Sequence, residues 1–172
     1  CSSDLVADQL MKTPEYLTST KAKAAEGLAA LETTARANGL DLNANFGNLL
    51  PEWEKALAAG GDIKTYQTII RNAARTHLPE SVRNTLDPNL DLNNLYAPYI
   101  NSYAKTFGVD PNAVKISDVE PLALDSTKGT LVPIYEFDKK KRLLPGWDLT
   151  PEGHQVTADA ATRVLQDFGF MG

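Results

Sequence analysis

Cysteine is almost absent from this chain, with one residue in 172, at position 1. That excludes an internal disulfide and any cysteine-based zinc or iron–sulfur site. Histidine is nearly as scarce: His77 and His154 are the only two, so a histidine-rich metal centre is excluded as well. Aromatic residues make up 8% of the chain, and no apolar run approaches the roughly 20 residues needed to span a bilayer. A surplus of positive charge is missing too. The chain carries 17 Lys and Arg against 22 Asp and Glu, a net charge of −5. This is opposite in sign to the footprint of a non-specific nucleic-acid binder. The N-terminal stretch lacks the basic start and apolar middle of a secretory signal. There is no glycine loop of the dinucleotide- or phosphate-binding type, no internal repeat, and no alternation of apolar and polar residues long enough to argue a strand.

What is present reads as helix. The length suits one domain or two small lobes, able to bury roughly two-thirds of the unfolded surface without a metal or disulfide. Thr13-Pro14-Glu15 is a helix start, with Thr as N-cap and Pro at the first helical position. The helix it opens should end at Asn38-Gly39, with a narrow stripe of Leu17, Ala24, Leu28, Leu31 and Ala35 that lets a neighbouring helix approach closely. Residues 40–50 read as a loop. Pro51-Glu52 opens a short helix through Trp53 and Leu57 that Gly60-Gly61 stops. Asp62 caps the next, whose face is Ile63, Tyr66, Ile69, Ile70, Ala73 and Ala74. Pro79 starts a further short helix to about Leu86. After the Asp87-Pro88-Asn89 turn, Asp91 caps a helix that carries Tyr96, Tyr99 and Tyr103, tolerates Pro98 or kinks at it, and closes at Gly108. A short helix restarts at Asp110-Pro111. Residues 115–132 read as irregular, with an exposed loop at Ser126–Gly129. Thr130 is expected to open a helix with Ile134, Tyr135 and Phe137 on its apolar side. Leu144-Pro145-Gly146 breaks it, and Thr150-Pro151-Glu152 starts the closing helix. There Val156, Ala160, Val164 and Phe168 fall at i+4 steps and form one stripe. The expected fold is all-α: an irregular set of short helices with one longer N-terminal helix, and little or no sheet. An N-terminal segment over residues 1–60 and a C-terminal lobe over 61–172 are the expected divisions.

Each constellation that resembles a reactive site lacks an essential part. Asp148 followed by Gly153-His154 is similar to the end of SGNH-type esterases, but no Gly-Asp-Ser turn supplies the nucleophile, and Pro151 stands where the triad Asp belongs. Asp87, Asn89 and Asp91 alternate like the opening of a calcium loop, but Leu92 and Pro98 occupy the positions of its Gly and Glu. Asp41, Asn43 and Asn45, with Glu52 twelfth, fail at Phe46. The same residues serve turns and caps. The run Lys139-Lys140-Lys141-Arg142 reads as a solvated helix end. Tyr96, Tyr99 and Tyr103 share a helix face suited to core or interface packing. No general acid–base pair can be nominated, and no enzyme activity, metal or cofactor is expected.

Three stretches carry a resemblance. One is Leu95-Tyr96-Ala97-Pro98-Tyr99-Ile100 with Gly108-Val109-Asp110-Pro111-Asn112. The second is Ile134-Tyr135-Glu136-Phe137-Asp138-Lys139. The third runs from Pro145-Gly146-Trp147-Asp148-Leu149-Thr150 to the closing Val164-Leu165-Gln166-Asp167-Phe168-Gly169-Phe170. This order resembles the C-terminal ends of large virion proteins of tailed bacteriophages, tape-measure-like and internal tail proteins among them, over residues 66–172. Leu143–Trp147 departs from the charged lead-in to the Trp found there, and Gly153-His154 departs from its helix formers. The resemblance implies a structural segment of the virion tail that anchors a long protein against the tail hub or tube. Its implied partners are other tail proteins and symmetric copies of itself, with no specific nucleic acid and no membrane. Trp147, Val156, Ala160, Val164, Phe168, Tyr99 and Tyr103 are the interface candidates.

Position 1 allows other readings. A chain opening on Cys rather than Met suits a stretch of a longer polypeptide, a lipoprotein acylated at Cys1 with Ser2-Ser3-Asp4 as tether, or a catalytic N-terminal Cys. The last lacks a base and a surrounding fold. The lipoprotein reading makes the chain an accessory subunit of a bacterial envelope complex, held to the membrane by its lipid.

Overall fold

The computed structural model describes residues 14–169, with side chains from Thr18 onward. It is all-α: 69% helix, nine helices and one two-stranded sheet among the described residues. The chain forms two compact units. One holds residues 14–77 with Asp87–Leu92, and the other holds Leu78–Leu86 with residues 93–169.

The first unit contains α1 (Pro14–Ala37), α2 (Leu42–Phe46), α3 (Leu50–Ala58) and α4 (Ile63–Ala74). α1 runs to the expected stop, and Gly39 takes the left-handed backbone (φ 72°) that ends it. Its stripe is buried at Ala24, Leu31 and Ala35; Thr13 and the side chain of Leu17 lie outside the described residues. α3 and α4 pack on α1, and the core joins Leu31, Ala35, Phe46, Trp53, Leu57 and Ile70. Close approach is built in at Gly27, where a Cβ would meet Leu57 Cδ1 at 2.9 Å. Phe46, Trp53 and Tyr66 stack in sequence, with centroids 5.4 and 5.1 Å apart. The expected boundary at residue 60 falls between α3 and α4, and α4 belongs to this first unit.

Residues 40–50 are not simply a loop. Asp41 caps α2 by accepting from the Ala44 N–H at 2.7 Å, and Leu42 and Phe46, one turn apart, are both buried. A five-residue helix carries too weak a period to be read in advance, and its tertiary burial decides it. Asn38, expected only as part of a stop signal, is a buried node. Its amide donates to Thr34 O at 2.8 Å and to Asp91 Oδ1 at 2.7 Å, and its oxygen accepts from Leu92 N at 3.0 Å. Arg71 Nε also donates to Asp91 Oδ1, at 2.8 Å, and Arg75 donates to Asp87 O and Leu90 O.

The second unit holds α5 (Glu80–Arg83), most of α6 (Leu92–Phe107), a 3₁₀ turn at Pro111–Ala113, and α7 (Ile116–Ala123). After these come β1 (Leu124–Asp125), β2 (Thr130–Leu131), α8 (Ile134–Lys141), a second 3₁₀ turn at Trp147–Leu149, and α9 (Pro151–Asp167). α6 passes through Pro98 unbroken and ends before Gly108, as expected. Two expectations fail between 115 and 134. Residues 116–123 are helical: Asp118 accepts the Lys115 N–H at 2.9 Å, and Ile116, Val119 and Ala123 are buried on one face. Thr130 does not open a helix but pairs with Asp125 in the small antiparallel hairpin. Asp125 Oδ1 there holds the Thr127 and Lys128 N–H groups at 3.0 and 3.1 Å. The helix starts four residues later, after Pro133. Tyr99 fixes the hairpin to α6, its hydroxyl donating to Val132 O at 2.5 Å and its ring lying edge-on to Phe137 with centroids 5.0 Å apart.

Candidate functional site

The site of greatest chemical density lies where α6, α8 and the first turn of α9 meet. Phe137 is buried, and one turn later Lys141 is buried with it, 4% exposed. Lys141 was expected in a solvated basic run; sharing the Phe137 face takes it inside. Its ammonium reaches Ser102 Oγ at 2.7 Å, Asp138 Oδ1 at 2.9 Å, Ser102 O at 3.3 Å and Glu152 Oε2 at 3.9 Å. The Ser102 hydroxyl donates to Asp138 Oδ1 at 2.6 Å. Glu152 accepts from Thr106 at 2.9 Å and from Arg142 at 3.0 Å. Ser102, Thr106, Asp138, Lys141 and Glu152 line an open cleft of about 670 Å³.

The electrostatics favour fixed charges. Burial opposes ionisation of Asp138, but the Ser102 hydroxyl and the Lys141 ammonium outweigh it, so its carboxyl lies below the usual carboxylate range. Burial likewise opposes ionisation of Glu152, and its hydrogen bonds from Thr106 and Arg142, with Lys141 nearby, hold it low as well. A serine beside a lysine resembles a nucleophile beside a base. Here the ammonium has three donors, no acceptor, and oxygen on every side. The serine proton points at a carboxylate held low, which is a weak base at neutral pH. The arrangement acts as a clamp: three helices are joined through charge-assisted hydrogen bonds.

The clamp fixes the root of α9. Thr150 caps that helix by accepting from Gly153 N at 3.1 Å, as expected, and donates its own proton to Trp147 O at 2.6 Å. Gly153 looked out of place in a helix turn. A Cβ there would stand 2.9 Å from Asp148 Cα and closer still to Trp147 O, so only glycine lets the 3₁₀ turn pack on the helix. Trp147 is half-buried beneath the Arg142 guanidinium, 5.7 Å from its ring centroid, and its indole N–H is buried without a hydrogen-bond partner.

Beyond the root, α9 leaves the protein. Every residue from His154 to Gly169 is exposed. Of the candidate stripe, Val156 is 40%, Val164 52% and Phe168 75% exposed, and Ala160 is exposed with them. None of the described residues buries that stripe. Tyr99, an interface candidate, is buried in the chain's own core; Tyr103 is half-buried and stacks on Phe107 at 4.5 Å. Cys1 lies outside the described residues. The expected turn roles of the Asx residues hold for Asp41 and Asp87, which accept backbone N–H groups, and Asp110 accepts one in the same way. Among the described residues no cluster of His, Cys, Asp or Glu is placed to hold a metal, and no helix is long and apolar enough to cross a membrane.

No protein-family model, curated protein or solved structure matches this chain.

Proposed function

We propose that this chain is a non-enzymatic assembly module that presents α9 for docking to another protein. One observation carries the reading: a helix of 17 residues is clamped at its first turn and exposed on all sides thereafter, with Val156, Val164, Leu165 and Phe168 in water. A helix of about this length is marginal on its own, since most helical stability comes from packing an apolar face. A partner would supply that packing. The clamp supports the same reading, because salt-bridged groups around Lys141 set the angle at which α9 leaves without offering a base or a nucleophile.

The resemblance to the C-terminal ends of tailed-phage virion proteins gives this module a setting. It would be an anchoring segment of a tape-measure-like or internal tail protein, seated against the hub or tube, with α9 as the seated element. The test is incorporation. An antibody raised against the chain should label the tails of virions from cells that carry the gene. Val164→Asp, which adds a charge to the exposed stripe, should leave a folded protein that is missing from those particles. Labelling of the cell envelope together with an acylated Cys1 would replace this reading with that of an envelope lipoprotein.

A further inference from the structure

We propose that Asn38-Gly39 is a deamidation site that the fold closes and unfolding opens, and that the conversion, once made, keeps the first unit from re-forming as before. It is the one Asn-Gly pair in the chain. Glycine is the residue that best permits this reaction after an asparagine, because no Cβ shields its nitrogen and its backbone turns freely. Gly39 N attacks Asn38 Cγ. The new C–N bond closes a cyclic imide, the Cγ–Nδ2 bond breaks, and Nδ2 leaves as ammonia with the proton from Gly39. Water then opens the imide. Cleavage of its bond to Cγ leaves Asp, and cleavage of its bond to the backbone carbonyl carbon leaves isoaspartate. One water enters, one ammonia leaves, and a neutral amide becomes a carboxylate.

The folded protein withholds both reacting groups. Asn38 is 2% exposed, and its carboxamide is held by Thr34 O, Asp91 Oδ1 and Leu92 N. Turning Cγ toward Gly39 N breaks those bonds. The Gly39 N–H is itself engaged, donating to Arg36 O at 3.0 Å at the left-handed residue that ends α1. All these partners belong to the first unit, so opening of that unit releases them together. The same geometry decides what conversion does. Nδ2 stands 2.7 Å from Asp91 Oδ1 and 2.8 Å from Thr34 O, and both of these accept. A carboxylate oxygen in its place has no proton to donate. Two carboxylates then meet at hydrogen-bond distance, which disfavours their joint ionisation. Arg71 Nε, donating to Asp91 Oδ1 at 2.8 Å, offsets one of the two charges. Isoaspartate adds a further fault, since it lengthens the backbone at the end of α1 by a methylene. Either product breaks the node that ties α1 to Asp91 and Leu92.

The test holds the full chain in folding buffer and in guanidinium chloride at the same mildly alkaline pH. Peptide mass spectrometry follows the exchange of NH2 for OH at residue 38, with isoaspartate measured beside it. Conversion is expected to be at least about tenfold slower in buffer, the protection that a buried, hydrogen-bonded site confers. Equal rates in the two samples would overturn the protection. After return to buffer, converted chains should be missing from the fraction that shows the native indole resonance of Trp53, which lies in the first unit. Converted chains that refold with the wild-type Trp53 midpoint would overturn the consequence. Asn38→Asp, made directly, should lower that midpoint or prevent folding, and a wild-type midpoint would again overturn it. Adding Asp91→Asn returns an amide donor to the pair and should recover part of the loss. A double variant no better than Asn38→Asp would overturn the assignment of the loss to the two facing carboxylates.

Discussion

Replacing Lys141 by Met isolates the charge at the centre of the clamp, because Met keeps most of the buried stem and removes only the ammonium. Breaking a buried ion pair from one side costs about 3–5 kcal/mol when the stranded charge stays buried. Here the side chains of Asp138 and Glu152 are 39% and 34% exposed, while that of Lys141 is 5% exposed. The stranded carboxylates can recover water, so the cost drops to that of a charged hydrogen bond, and we expect about 2 kcal/mol. The two tryptophans lie in different units, Trp53 in the first and Trp147 in the second. Their indole resonances therefore follow each unit separately through a urea titration. The midpoint reported by Trp147 should fall in Lys141→Met by an amount equivalent to that energy. A Trp147 midpoint equal to the wild type would show that the ammonium contributes nothing net to the joining of α6, α8 and α9.

Four further outcomes are expected. Asp138 and Glu152 both have carboxyls held low in the fold. Their stabilisation is full above the ordinary carboxylate range of about 4 and is lost as pH falls below it, and Asp138→Asn with Glu152→Gln should flatten that acid limb in pH-dependent urea melts. Gly153→Ala should destabilise by roughly 1–3 kcal/mol, because the clash with the Trp147 turn exceeds the gain of about 1 kcal/mol in helix propensity; equal or higher thermal stability would contradict the packing. Phe168→Ala should change the stability of the monomeric chain by less than about 0.5 kcal/mol, as a surface substitution does, measured by urea melts of the dilute chain. Asn38→Ala should cost about 1–3 kcal/mol by stranding the buried Leu92 N–H, read from the Trp53 midpoint.

Where local signals were strong, the sequence was legible. Pro14, Pro51, Asp62 and Thr150 each open a helix where their cap and first-turn chemistry says one should begin, and Gly39, Gly60 and Gly108 mark helix ends with left-handed backbone. Where burial rather than local chemistry decides, it was not. α2 and α7 are short, and their periods emerge only once Leu42 and Phe46, or Ile116 and Val119, have a core to enter. Thr130 has the form of a cap but pairs with Asp125, because Asp125 organises the hairpin turn from the other side. The clamp was hidden for a related reason. Lys141 sits in a basic run, and only its spacing of one turn from Phe137 marks it as inward-facing. Ser102, Thr106 and Glu152 carry no pattern at all until α6 and α9 are brought together. The stripe on α9 was legible as a stripe from its i+4 spacing; its exposure among the described residues depends on how the rest of the chain packs, which no local pattern encodes.

α9 is fixed at its root and unsupported beyond it by the other described residues. Hydrogen exchange read residue by residue along α9 tests this most directly, in the dilute monomeric chain and again under assembling conditions. In the dilute chain we expect the first-turn amide of Gly153, bonded to Thr150 within the clamp, to be protected, while amides from about Ala158 to Asp167 exchange close to the rate of an unsupported helix. Under assembling conditions that outer stretch should become protected as well. Outer amides as protected in the dilute monomer as the core of α6 would contradict the account, because α9 would then have all the support it needs without a partner.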